Sequence, residues 1–566
     1  MGLFSILLLA AFFSDSPNSC NTKPADAVTV KDGEPLLVIG ITIDQMRSDF
    51  IARFDDHFTD GGFKRVVNGG FSCLDHHYGY SPTFTGPGHA SIFTGTTPAI
   101  HGITANDWYD REHGTTVYCV SDSDARGVGV DGIDGVNGSP LVFQAAGQMS
   151  PKHLLSNTIG DEMKLAVLGK DAPKVVGISM KDRGAILPAG HSSDGAYWFY
   201  GKEKGHFISS THYFRVLPQW VIDFNNGGHS KRLCDEGWEK VLPESAYSDC
   251  LPDNNPYEGA FNGDIRPTFP YDLNALMAAN GGYDVLKATP AGNTIIVDFA
   301  LAAIEGEDLG KSGACDLLAM SFSATDYVGH RNGPHAQETL DMYVRLDRDL
   351  ERFFNELDDR IGEGNWTVFI TSDHGAAAVP SHAASLGMPS GYWSPGNLQD
   401  RLEVEMDIRF GPRDWVQNIS NASVFLNPKA LRAAPSTPTT IQRFASSLCV
   451  EEEGVMMAIA EVDLAARAAI DPLVERLYHG HKQGASGDVL LVLNPGWMRY
   501  GRTGTTHGSP YVYDTHVPCL FYGSGITPGF TYEQTFTRDI APTISALLNI
   551  QYPNGCTGSP IHQALK

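Results

Sequence analysis

The chain has 566 residues, 42% hydrophobic and 19% charged. That is enough apolar material to bury a large core, which argues against a disordered tail and for one elaborated domain or two. The formal charge of −25 argues against nucleic acid or an anionic membrane as the main partner, because long-range attraction to phosphate needs a basic face.

The chain opens with "MGLFSILLLAAFF", an apolar run of signal-peptide length that is too short to span a bilayer as a helix. Polar residues follow, with a cleavage pattern at Ala25-Asp26-Ala27, so residues 1–27 read as a signal peptide and the mature chain as periplasmic or secreted. Of nine cysteines, Cys20 would leave with that leader, and the other eight contain no C-x-x-C, so a zinc-thiolate site is not indicated. An exported chain could pair some of them, Cys234 and Cys250 being the closest pair in sequence.

Beyond the leader, "LLVIGITI" (36–43), "KVVGISM" (174–180), "DLLAMSF" (316–322), "WTVFITS" (366–372) and "DVLLVLN" (488–494) read as strands buried on both faces. Helical patterns lie between them. In the run from Gln337, residues Leu340, Tyr343, Val344, Leu346, Leu350, Phe353, Phe354 and Leu357 form an apolar stripe with charges opposite. Alternating strands and helices predict an α/β fold, a doubly wound and mainly parallel sheet with helices on both faces. Two stretches break the rhythm, about 190–290 and about 380–480, and read as inserted segments capping one catalytic domain over 28–566.

In "SPTFTGPGHAS" (81–91), Thr85 stands at the lip of a Gly-Pro-Gly turn. A turn residue or helix cap would account for this hydroxyl alone; a nucleophile needs a neighbouring base, metal or helix N-terminus to activate it. Ligand chemistry in an open α/β sheet gathers at the carboxyl ends of the strands. Three of the runs end there in hard ligands: Asp44 after the first, Asp326 and His330 in "SATDYVGH", Asp373 and His374 in "TSDHG". Asp and His without thiolates suit Zn²⁺ in a catalytic site that leaves room for substrate or water. Asp326 and His330 would share one side of a helical turn if the strand ends at Thr325, and the adjacent Asp373-His374 pair converges only through irregular backbone, which Gly375 permits. Three such strand ends beside a hydroxyl-bearing turn point to a metal-dependent transferase or hydrolase.

The chain resembles the alkaline phosphatase superfamily, in particular the phosphate-irrepressible, PafA-type periplasmic alkaline phosphatases that use threonine. "GITIDQMR", "SPTFTGPGHASIFTG", "AIHGITANDW", "SMKDRGAILPAG", "SATDYVGHRNGPH", "TSDHG" and "GTTHGS" carry the resemblance, from Asp44 to the region of His507. It implies two Zn²⁺ ions per chain, one held by Asp326, His330 and His507, the other by Asp44, Asp373 and His374, and Thr85 as a nucleophile bound to this second ion. On chemistry alone His335 and His516 rival His507; the late "GTTHG" pattern is what selects it. The resemblance also implies Lys181, Arg183 and Asn106 as donors to the phosphate. Lys181 and Arg183 would share a face if their segment stays extended. Three donors suit the extra anionic oxygen of a monoester, so small phosphomonoesters are the expected substrates of a monomeric enzyme. The rival readings are a nucleotide pyrophosphatase or phosphodiesterase of the same superfamily, which should lack the Lys-x-Arg pair, and a metal-binding surface protein without turnover.

Overall fold

The computed structural model describes residues 34–129 and 145–566; the leader, with Cys20 and the cleavage pattern, lies outside the described residues. Among the described residues no helix is long and apolar enough to cross a membrane.

Ten strands form the main sheet: β1 (Leu37–Ile43), β2 (Phe71–His77), β3 (Gly127–Val128), β4 (Val175–Ser179), β5 (Gly195–Tyr200), β6 (His206–Ser210), β7 (Asp316–Phe322), β8 (Trp366–Thr371), β13 (Cys519–Gly523) and β14 (Gly529–Phe536). Their order is β14-β2-β13-β8-β1-β7-β4-β5-β6-β3. The five central strands, β8 to β5, run parallel. Antiparallel pairing enters on both flanks, through β13 on β8 and β6 on β5.

All seven residues of β1 are buried, because helices cover both faces of the sheet. Leu37, Ile39 and Ile41 enter one apolar cluster and Val38 enters another, the alternation a pleated strand imposes. On the first face lies α5 (Gln337–Ile361), whose stripe from Leu340 to Leu357 is buried as its periodicity requires.

Two expectations need correction. Val489–Leu493 (β12) is not part of the main sheet. It lies in a separate antiparallel sheet with β9 (Val416–Ser420), β10 (Ser423–Leu426) and β11 (Val455–Ala460), in the order β9-β10-β12-β11, over its own core of Leu402, Trp415, Val424 and Ile441. An apolar run specifies burial on both faces but not its partners. The stretch from 190 also begins too early as an insertion, since β5 and β6 extend the main sheet. In "GAYWFY", Tyr197 and Phe199 pack on one face and Ala196, Trp198 and Tyr200 on the other, so an aromatic run serves as a two-faced strand. Cys234 and Cys250 are both free thiols in this structure.

Candidate active site and metal centre

The carboxyl ends of β1, β7 and β8 are neighbours in the sheet, so the residues that follow them meet. Gln45, with φ of 64°, turns the chain out of β1. Its backbone amide donates to Asp373 Oδ1 at 3.1 Å and its side-chain amide to Asp326 Oδ1 at 2.7 Å, tying together the three strand ends. Gln45 escaped the sequence reading although it directly follows Asp44.

After β7, helix α4 (Ala324–Asn332) carries Asp326 and His330 on successive turns, with His330 Nε2 3.1 Å from Asp326 Oδ1. Three histidines are oriented alike. His330 Nδ1 donates to Thr505 O at 2.7 Å, His374 Nδ1 to Gly375 O at 3.0 Å and His507 Nδ1 to Thr83 O at 2.7 Å. A carbonyl partner fixes the proton on Nδ1 and leaves the Nε2 lone pair as the ligand atom. His374 Nε2 lies 3.4 Å from Asp44 Oδ1 and 3.5 Å from Asp373 Oδ2, and His507 Nε2 lies 3.8 Å from Asp326 Oδ1. His89, by contrast, engages both nitrogens, with Thr85 O and Ser321 Oγ.

Two groups of ligand atoms converge within 4.8 Å: Asp44, Asp373 and His374, and Asp326, His374 and His507. His374 therefore belongs to both, its ring stacked 3.3 Å from that of His507, whereas the implied sets assigned it to one. His330 reaches Asp326, with its ring 5.2 Å from that of His507. Neither sequence rival stands here, since His516 lies by Leu74 and His335 by His382.

These residues fit a metal centre on their own polar inventory. Asp44 Oδ1, Asp373 Oδ2 and His374 Nε2 are buried and, among the described residues, have no hydrogen-bond partner. Buried polar atoms are nearly always paired, so three converging orphans call for a cation. Burial, reinforced by Asp44, pushes the Asp373 carboxyl well above the usual range. Burial takes His374 down to about 3 and His507 well below its ordinary value, keeping both imidazoles neutral and able to ligate. Oxygen and nitrogen donors of this kind suit zinc.

Lys181 bridges the two groups, its Nζ 2.5 Å from Asp44 Oδ2 and 2.6 Å from Asp326 Oδ2. Although burial works against charge on both partners, His330 and Lys181 hold Asp326 well below the usual carboxylate range. The segment does not stay extended: Lys181 caps helix α2 (Asp182–Ala189), and Arg183 sits in its first turn. An Asp following the strand favours helix initiation, which overrode the extended reading. Arg183 Nη1 donates to Tyr118 OH at 3.0 Å, Tyr118 OH donates to Asp182, and Arg183 Nε is buried and, among the described residues, has no partner. Tyr118 was also missed; it lies in a hairpin formed by Asp107–Asp110 and Thr115–Tyr118 and carries no local sign of its role. Asn106 precedes that hairpin. Its Oδ1 accepts from Gly86 N at 2.7 Å, which leaves the amide nitrogen to donate.

Thr85 is buried and begins helix α1 (Thr85–Thr94). The first turn of α1 packs on Asp373 so closely that a Cβ at Gly88 would lie 2.6 Å from Asp373 O. Gly375 is small for the same kind of reason, close approach of Tyr513 O, and not to supply a left-handed backbone. At this helix N-terminus Gly86 N is held by Asn106 Oδ1 and Gly88 N by Phe84 O, so it is the positive end of the helix dipole beside a buried hydroxyl that favours an anion.

Residues 38–516 match the family described as type I phosphodiesterase / nucleotide pyrophosphatase. A protein from Synechococcus elongatus named alkaline phosphatase PhoV is 40% identical over 535 residues, covering 94% of this chain and 93% of its own. One from Myroides odoratus named calcium-transporting ATPase is 40% identical over 537 residues, covering 94% and 95%. The crystal structure of wild-type alkaline phosphatase PafA superposes with a TM-score of 0.87 at 38% identity, over 94% of this chain and 99% of that one. The chain therefore belongs to the type I phosphodiesterase / nucleotide pyrophosphatase family and is a homologue of the PafA-type alkaline phosphatases.

Proposed function

We propose that the protein is an exported, zinc-dependent alkaline phosphatase that cleaves small phosphomonoesters through a phosphothreonine at Thr85. The observation that carries this reading is the set of orphaned buried ligand atoms on Asp44, Asp373 and His374, packed against the first turn of the helix that Thr85 begins. Asp44, Asp373 and His374 would hold one ion and Asp326, His330 and His507 the other. When bound, such a pair supplies Lewis acidity that lowers the pKa of a hydroxyl or water and offsets charge on the reacting oxygens.

The chain's own groups account for the rest. The Thr85 oxygen attacks phosphorus, the bond to the leaving oxygen breaks, and water then cleaves the Thr85 ester and releases phosphate. Asn106 presents its amide to a non-bridging oxygen because Gly86 N holds its carbonyl. Arg183 offers the unpartnered Nε while Tyr118 and Asp182 fix the guanidinium from behind. Lys181, standing between Asp44 and Asp326, is the cation that a phosphate dianion would recruit. The apolar leader at residues 1–27 supports export.

Release of p-nitrophenol from p-nitrophenyl phosphate, measured with and without a chelator and against the bis ester, tests the reading. Thr85→Ala should abolish monoester turnover while zinc content is retained. Undiminished turnover in that variant, or faster cleavage of the diester by the wild type, would overturn it.

A further inference from the structure

A second constellation lies outside the catalytic centre and shares no residue with it. His77 ends β2, and His516 enters β13; the two are direct partners in an antiparallel bridge. Directly opposed residues project from the same face, and their rings stack with centroids 4.6 Å apart and planes 20° from parallel. Asp75 precedes His77 by two positions on the same strand and so shares that face. Its carboxylate Oδ1 is 2.7 Å from His77 Nε2. His76, between them, faces the other way, buried with its Nδ1 on Thr535 Oγ1.

We propose that Asp75, His77 and His516 form a further binding site for a divalent transition ion of the zinc class. One ligand atom from each of the three lies within 4.8 Å of the others. His516 Nε2 donates to Leu74 O at 3.1 Å, which fixes its tautomer and leaves Nδ1 as the ligand atom, the same device that orients the catalytic histidines. Two imidazoles and a carboxylate with an open side match a three-ligand site completed by water. Binding displaces the proton that His77 shares with Asp75. The Asp75 side chain is 43% exposed, so an ion can enter from solvent. Asp75 is the one anionic ligand of the three, and its carboxylate offsets the charge of a bound cation.

The site sits one step from the catalytic loop. Thr515 O accepts from Tyr78 N at 2.9 Å, and Asp514 O accepts from Gly375 N at 2.8 Å. An ion held by His77 and His516 would pin β2 to the 514–516 segment that supports Gly375, next to His374.

The test is zinc per chain, measured by atomic emission after loading the full chain with zinc and dialysing, for wild type, Asp75→Asn and His516→Gln. Each variant should hold one zinc fewer than wild type and keep p-nitrophenyl phosphate turnover within about twofold. Equal zinc in all three proteins would overturn the proposal. If His516→Gln fails to fold, Asp75→Asn, an isosteric change at a half-exposed position, decides alone. The readout is a difference between proteins, so a failure of the two-ion catalytic reading would show separately, as low zinc and absent turnover in the wild type.

Discussion

Gly88→Ala probes whether the seat of Thr85 depends on close packing. A Cβ there meets Asp373 O at 2.6 Å, Asp373 Cβ at 2.7 Å and Asp373 Cα at 2.9 Å. All three are backbone or the first side-chain carbon, so neither side can rotate away. Ordinary contact begins at 3.4 Å. The helix start or Asp373 must therefore retreat by about 0.8 Å, a shift that a packed interior resists. Misplacement of a reacting group by about 1 Å can cost about 100-fold in rate, so kcat/KM on p-nitrophenyl phosphate should fall by about 10- to 100-fold. Overpacking should also destabilise the fold by about 1–3 kcal/mol, measurable by denaturant unfolding. Gly396→Ala is the control: it lies at a helix start, its backbone is ordinary and its Cβ would meet no atom within 4 Å, so it should leave kcat/KM unchanged and raise stability by about 0.4–1 kcal/mol rather than lower it. A Gly88→Ala enzyme within about twofold of wild type would refute the claim that contact with Asp373 positions the nucleophile.

Arg183→Ala should lower monoester turnover by about one to two powers of ten for each charge-assisted hydrogen bond lost, at about 1.5–3 kcal/mol apiece, and diester turnover far less. Equal losses on the two esters would remove Arg183 as the donor to the extra anionic oxygen. Away from the site, the hydrogen bond that His191 Nδ1 donates to Asp161, opposed by partial burial and helped by a second bond to Leu154 O, raises the pKa of His191 above its ordinary value. A raised folded-state pKa means that this stabilisation is complete below about pH 6.5 and is lost as pH rises through the folded value. Thermal unfolding should thus show a larger gap between wild type and His191→Gln at pH 6 than at pH 8.5; a gap that is constant or widens with pH would contradict the pairing.

Much of this molecule is legible in one dimension because local chemistry forces it. A strand covered on both faces has to be continuously apolar, which exposes β1, β4, β7 and β8, and three of them, β1, β7 and β8, lead into carboxylates or histidines that could not be buried without a purpose. Thr85, Asp44, Asp326, His330, Asp373, His374 and His507 were all nameable from such runs together with the family resemblance. Residues whose role depends on who stands opposite were not. β12 is as apolar as β8, yet it belongs to the other sheet, because strand pairing is chosen by distant segments. Gln45, Tyr118 and the sharing of His374 between two ligand groups arise only when strand ends, a hairpin and a late loop converge. His516 carries the same imidazole as His507 and precedes a strand just as plausibly. Only the register that opposes it to His77, while His507 docks on Thr83 O, places the two rings in different parts of the fold.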